Sequence, residues 1–297
     1  MTSQFGRVIT AMVTPFDNDG NLDLETTKTL ADYLIQNGSD AIVVAGTTGE
    51  SPTLTRDEEY QLFEVVKNIV GNRGYAIAGT GSNSTYEAME ATSHAFEIGM
   101  DASLQVCPYY NKPNQDGMYK HFRMIADAVP EMPIILYNIP GRTGVNLLPE
   151  TVIWLAKDCK NIVGIKEASG IVEQTTAIRQ ALPEFAIYSG DDSLTLSLVA
   201  AGADGVISVA SHLAGNEIQS MLTKFFEGDV AGAIATNVSL FNLFKTLFIT
   251  TNPVPIKTAL SMGGFPVGSV RPPLAELNES DYNKLYEVLT AYGLIQE

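Results

Sequence analysis

Gly38-Ser-Asp40-Ala-Ile-Val-Val44 has two counterparts further along the chain, Gly99-Met-Asp101-Ala-Ser-Leu-Gln-Val106 and Gly202-Ala-Asp204-Gly-Val-Ile-Ser-Val209. Each reads glycine, any residue, aspartate, a small residue, then an apolar run. Glycine enters the left-handed backbone region without a Cβ penalty, so it ends a helix at the C′ position. The apolar run after it then reads as a buried strand. Helical patterns precede all three, at residues 26–36, 85–98 and 194–201. The stretch is therefore a helix-to-strand junction, seen three times, and the gaps leave room for further βα units of roughly 30 residues.

Further apolar runs fill those gaps, at residues 8–13, 75–79, 134–137, 162–166 and 186–189. With the strands of the three junctions they make eight. Continuously apolar strands alternating with amphipathic helices predict a parallel sheet covered on both faces. Eight of them favour a closed (β/α)8 TIM barrel over an open, doubly wound sheet. Helical patterns continue at 213–226, 230–248, 255–262 and 279–292. The last three exceed what a barrel needs. The expected organisation is a catalytic barrel over residues 1–228 and a C-terminal helical extension over 229–297.

The 297 residues suit one barrel of ~250 residues plus that extension. A hydrophobic content of 45% and a charged content of 18% allow a large core. The formal net charge of -16 disfavours nucleic acid and anionic membrane surfaces as partners. Cys107 and Cys159 are too few for a disulfide scaffold and read as free thiols. Residues 1–7 carry no signal or transit pattern. The most apolar stretch, 194–210, is interrupted by Asp204 and glycines, so it is a poor membrane span. A cytoplasmic location is expected.

Barrel enzymes carry their chemistry at the C-terminal ends of the strands. Strand six ends in Ile-Lys166-Glu-Ala-Ser. Alternation puts Ile162, Gly164 and Lys166 on one face, opposite Val163 and Ile165. A buried ammonium is costly, so desolvation lowers its basicity, and only the free amine attacks a carbonyl. An ion pair with Glu167 explains this segment equally well. Strand five ends in Tyr137-Asn-Ile-Pro-Gly-Arg142-Thr-Gly: a phenol able to exchange protons, then a guanidinium in a Gly-rich loop suited to a carboxylate. Strand two ends in Gly46-Thr47-Thr48-Gly49-Glu50-Ser51, whose hydroxyls and amides suit an anion, or merely a turn before a helix cap. Strand four ends in Pro108-Tyr109-Tyr110-Asn111, a pattern more typical of packing. Strand seven ends in Ser189-Gly190-Asp191-Asp192, where Asp191 or Asp192 most simply caps the next helix. His94, His121 and His212 lack metal-ligand spacing, and no metal site is expected. Gly79-Thr-Gly81-Ser-Asn83 matches neither nucleotide fingerprint.

Taken together, Gly46–Ser51, Pro108–Asn111, Tyr137–Gly144, Gly164–Ser169 and Ser189–Asp192 resemble the pyruvate-dependent class I aldolase family, which includes dihydrodipicolinate synthase and N-acetylneuraminate lyase. The resemblance spans nearly the whole chain, in order and with similar spacing. It implies a lyase in which Lys166 forms an imine with pyruvate and Tyr137 serves as acid and base. Thr47 and Tyr110 would complete a proton relay, with Tyr110 supplied by a neighbouring subunit of a homotetramer. Thr48, Gly190 and the Ile207 backbone would line the pyruvate pocket. Arg142 would bind the carboxylate of L-aspartate 4-semialdehyde, placing the enzyme in lysine (diaminopimelate) biosynthesis without any cofactor. Ser51, Asn83, Glu87 and Tyr109 match an allosteric site for L-lysine. Pro52, Arg56 and Glu59 depart from the usual pattern there, with Glu59 offsetting the charge of Arg56.

Three rivals remain at this point, the most generic being a phosphate-binding barrel enzyme, which would want a Gly-rich loop after strands seven and eight that Ser208-Val-Ala-Ser211 does not supply; the other two are more specific. One is a pyruvate aldolase acting on a sugar-derived 2-oxo acid, against which Arg142 speaks. The other is a non-catalytic ligand-binding paralogue, which would not need Lys166, Tyr137, Thr47 and Tyr110 together.

Overall fold

A computed structural model describes residues 4–295. Eight strands close into a parallel barrel in sequence order: β1 (Val8–Ala11), β2 (Ala41–Val44), β3 (Tyr75–Gly79), β4 (Ala102–Val106), β5 (Ile134–Asn138), β6 (Ile162–Glu167), β7 (Ala186–Ser189) and β8 (Gly205–Ser208). The final strand pairs with the first, Ile207 opposite Ile9. The expected barrel is present, with each strand within two residues of its sequence-derived limits.

Two cores explain why the strands are apolar on both faces. Ile9, Val43, Ile77, Leu104, Ile135 and Ile207 fill the barrel interior. Val8, Ile42, Ala76, Leu136, Ile165 and Val206 face outward and pack with helix residues such as Leu30, Phe63 and Phe122. Simple alternation fails at one place. The register of β5 against β6 shifts so that Ile134 faces Ile162 but Ile135 faces Gly164. This irregularity sends Ile162 into the outer core and leaves Val163 against the inner one. Ile162 therefore does not share a face with Lys166 as period-2 reasoning requires; a bulge inserts one residue and resets the parity.

The helices start on local signals. Asp23, Ser84 and Asn114 each accept a hydrogen bond from the first turn of the helix they precede. Thr55 and Glu58 form a reciprocal capping box on Arg56–Val70. At the three junctions the glycines are left-handed, with φ of 93° at Gly38, 89° at Gly99 and 114° at Gly202. Residues 194–201 divide into a 3-10 turn, Asp192–Leu194, and a short helix, Thr195–Ala200.

The junction aspartates do more than turn the chain. Asp40, Asp101 and Asp204 each donate their own N–H to one carbonyl of the preceding strand or its flank: Val8, Ala76 and Ile187, at 2.8, 2.9 and 2.7 Å. The carboxylate of each accepts the N–H of that same residue, at 3.0, 2.8 and 2.8 Å. Three two-point rings thus tie β1 to β2, β3 to β4 and β7 to β8 at the closed end. Lys67 and Arg179 add ion pairs of 2.7 Å to Asp101 and Asp204.

Beyond β8, helix Ser211–Phe226 packs against β1 and against helix Val230–Thr246. Helices Val254–Met262 and Glu279–Ala291 follow and contact each other. The chain from Thr251 to Arg271 returns to the open end of the barrel, where Asn252, Lys257 and Arg271 bond the loop after β2. Among the described residues no helix is long and apolar enough to cross a membrane. Cys107 and Cys159 are buried free thiols.

Candidate active site

Lys166 ends β6 and is buried, 6% exposed. The barrel register sets it directly opposite Tyr137 on β5. Its ammonium lies 4.5 Å from the centre of the Tyr137 ring. Burial lowers the basicity of Lys166 to about 8; the Asp192 carboxylate works against that shift and Arg142 adds to it. Burial likewise pushes the Tyr137 phenol up to about 12, opposed by Arg142 and by a hydrogen bond with the Thr47 side chain. Lys166, Tyr137 and Thr47 are therefore brought together from three different strand ends.

Glu167 is not the partner of Lys166. It faces the helices, where its oxygens accept from Asn138 (3.1 Å), the Ser169 N–H (2.6 Å) and Gln174 (3.1 Å). Strand alternation separates the two neighbours, and among the described residues no carboxylate lies within ion-pairing distance of Lys166. Gly190 leaves the space that Lys166 occupies. A Cβ there would sit 3.1 Å from Lys166 Cε and 2.5 Å from the Ala168 Cβ.

The two aspartates after β7 divide the roles that sequence could not separate. Asp191 caps the turn, accepting from Ser193 and Leu194 N–H at 2.8 and 3.2 Å. Asp192 turns inward instead and accepts from the backbone of Val209 and Ala210 at 3.1 and 3.0 Å. It is 3% exposed, its other oxygen has no hydrogen-bond partner, and burial raises its pKa. Asp192 thus ties β7 to the segment after Ile207, itself buried in the inner core.

Thr48 is buried and accepts a 3.0 Å hydrogen bond from the Asn252 amide. Arg142, on the short helix Pro140–Thr143, is exposed and donates to the Asn252 carbonyl at 3.2 Å. Asn252 therefore bridges two candidate anion-binding groups. Sequence reasoning missed it because it lies 204 residues from Thr48, in a stretch without a motif.

Tyr110 stands apart. It is 90% exposed, in a left-handed conformation with φ of 67°. Of the four candidate lysine-site residues, Asn83 and Tyr109 lie on loops, Ser51 in a 3-10 turn and Glu87 in the first turn of helix Thr85–Ile98. The Asn83 carbonyl accepts from Asn111 at 2.9 Å, and Glu87 accepts from Ser82 at 2.8 Å. Ser51 opens the turn Ser51–Thr53, and Tyr109 is partly exposed. Arg56 is held by Glu59 at 2.7 Å and lies 3.8 Å from Glu87, so two carboxylates meet its charge. Among the described residues no group of three or more His, Cys, Asp or Glu could hold a metal ion.

A closed parallel barrel with a buried amine of lowered basicity and a phenol beside it defines a lysine-based class I aldolase. Residues 4–292 match the model of the dihydrodipicolinate synthetase family, and the chain belongs to that family. It is 56% identical to the 4-hydroxy-tetrahydrodipicolinate synthase of Synechocystis sp. over 99% of this chain and 98% of that one. The corresponding synthase of Thermosynechococcus vestitus is 57% identical over 99% of both. Among solved structures, a lysine-bound dihydrodipicolinate synthase from Cyanidioschyzon merolae superposes with a TM-score of 0.98 at 52% identity, over 99% of this chain and 100% of that one. A chloride-inhibited synthase from Acinetobacter baumannii, complexed with pyruvate, gives 0.95 at 41% identity, over 98% and 100%.

Proposed function

We propose that this chain condenses pyruvate with L-aspartate 4-semialdehyde through an imine on Lys166, giving 4-hydroxy-tetrahydrodipicolinate in lysine biosynthesis. One observation carries the reading: Lys166 is buried and forms no ion pair with a carboxylate among the described residues, its basicity is lowered to about 8, and it lies against Tyr137, which is hydrogen-bonded to Thr47. The names of the full-length relatives and the pyruvate complex of the Acinetobacter baumannii enzyme support it.

In this mechanism the Lys166 amine attacks the ketone carbon of pyruvate, and water leaves as the protonated imine forms. That cation is an electron sink for the neighbouring methyl group. Tyr137 exchanges protons with the reacting centre, relayed by Thr47 and by Tyr110 of a neighbouring subunit in a homotetramer. Loss of a methyl proton gives the enamine, whose carbon attacks the aldehyde. The amine of the second substrate then displaces Lys166, and the ring closes. Thr48, Gly190 and the Ile207 backbone line the pyruvate pocket, and Arg142 takes the carboxylate of the semialdehyde. No cofactor enters the scheme. L-Lysine binds between Ser51, Asn83, Glu87 and Tyr109 as a feedback inhibitor, its ammonium on Glu87; the lysine-bound Cyanidioschyzon merolae enzyme supports this assignment.

The test is borohydride reduction in the presence of pyruvate, followed by peptide mass analysis. The expected product is a pyruvate adduct on Lys166; an unmodified Lys166 in folded protein at saturating pyruvate removes the proposal. Unchanged turnover at millimolar L-lysine would dispose of the feedback site alone.

A further inference from the structure

Glu50 is the one acidic residue of the Gly46–Ser51 turn, and the mechanism leaves it without a role. It is 2% exposed and stands in a left-handed conformation at φ 57°. One carboxylate oxygen accepts from Lys257 Nζ at 2.9 Å, and the other accepts the Arg271 N–H at 2.9 Å. Lys257 is equally buried; it also donates to the Ser269 carbonyl at 2.6 Å and lies 4.2 Å from the centre of the Phe16 ring. Arg271 stacks on that ring at 4.2 Å and forks onto Glu58 at 2.6 and 2.9 Å.

Neither charge is a cheap way to hold a loop, because desolvating both ions offsets much of their attraction. The arrangement gives geometry. The Glu50 N–H donates to the Thr47 carbonyl at 3.1 Å, so the residue that receives Lys257 also closes the turn carrying Thr47 and Thr48. The chain that carries Lys257 also carries Asn252, which holds the Thr48 hydroxyl. A lateral shift of that chain moves both ends of the threonine pair.

We propose that the buried Glu50–Lys257 pair, secured by Arg271, is a positioning device that makes the C-terminal segment set the placement of Thr47 and Thr48 for pyruvate. The inference rests on the pyruvate reading above. Glu50 and Lys257 touch no reacting atom. They act through the turn, so their loss acts on substrate placement before it acts on the amine.

The test is a charge-neutral double variant, Glu50→Gln with Lys257→Met. Gln retains an acceptor for the Arg271 N–H, and no buried ion is left alone. The pyruvate concentration that half-saturates borohydride trapping rises roughly tenfold, since small misplacements of a bound reactant are expensive. The limiting trapping rate and the semialdehyde KM change less than twofold (~). A purely structural pair would lower the melting temperature and the active fraction while leaving half-saturation unchanged, which overturns the proposal. Should the double variant not fold, Glu58→Gln weakens the Arg271 anchor while keeping the capping box. It raises the same constant about threefold, and an unchanged value in folded protein is equally decisive against the device. Wild-type protein is trapped in parallel. If it gives no adduct the pyruvate reading itself fails, whereas normal wild-type trapping with an unaffected variant sinks the clamp alone.

Discussion

Tyr137 and Lys166 are cross-strand partners, paired in the β5–β6 register with the ammonium 4.5 Å from the ring centre. The pairing follows from the bulge at the start of β6. Without it Lys166 would point at the helices and Glu167 at the barrel interior. Burial, reinforced by Arg142, lowers the basicity of the lysine amine to about 8.

The basicity of Lys166, about 8, fixes the pH response of imine formation. Below pH 8 the nitrogen is protonated and has no lone pair to give. The trapping rate at fixed pyruvate is therefore expected to rise through pH 8 and level off above it. Two units lower, at pH 6, it is roughly a hundredfold below the plateau. A rate flat from pH 6 to 9 would contradict a titrating amine.

The same burial bears on stability. The folded pKa of about 8 lies below the ordinary lysine value of 10.5, so the unfolded chain binds the extra proton between these limits. The folding penalty is fully present below pH 8 and fades as pH rises towards 10.5. Lys166→Met removes it, so at pH 7 the variant is expected to be more stable by up to roughly 3 kcal/mol while losing at least ~10³-fold in turnover. Urea unfolding of both proteins measures this; a less stable, inactive variant would mean the lysine contributes to the fold.

Tyr137→Phe removes the phenolic oxygen and its hydrogen bond with Thr47 but keeps the ring beneath Lys166. Turnover is expected to fall by about 10²–10³-fold, with trapping of pyruvate reduced but detectable. Steady-state assays alongside trapping separate the two effects. Wild-type turnover in the variant would leave the hydroxyl without a role.

Gly190→Ala puts a methyl group 2.5 Å from Ala168 and 3.1 Å from Lys166 Cε. The Ala168 Cβ cannot move without its backbone, so the segment after β6 shifts and the flexible Lys166 chain gives way with it, which misdirects the amine. The expected outcome is a folded protein with trapping slowed at least roughly tenfold. A variant trapped at the normal rate would show that the lysine has room to spare.

Asp204→Ala tests the closed end of the barrel. It strips an acceptor from the Ile187 N–H and from Arg179. A loss of about 2–3 kcal/mol in chemical unfolding is expected, with KM values unchanged. A shifted pyruvate KM at equal stability would contradict the separation of the two ends.

Much of this was legible in the sequence because the governing physics is local. Glycines at 38, 99 and 202 mark junctions by backbone freedom, and apolar runs mark strands by burial. Lys166, Tyr137 and the threonine turn stand at strand ends, where the barrel fold gives them meaning. Other features depend on distance in sequence. The bulge at Ile162 is visible only once β5 is laid beside β6. Asp191 and Asp192 are chemically alike, and only the approach of β8 separates them. Asn252, Lys257 and Arg271 reach the β2 loop through closure of the whole chain. Tyr110 is exposed within this chain, and the relay proposed for it calls on a neighbouring subunit that no single sequence displays.

The three aspartate rings carry a last consequence. Each uses the peptide groups of the adjoining segment, not its side chains, so it specifies alignment whatever residues those segments hold. Neighbouring hairpin-sized pieces of the chain are thus indexed to one another at the floor. The rim above can be rewritten in length and chemistry without the staves of the barrel slipping.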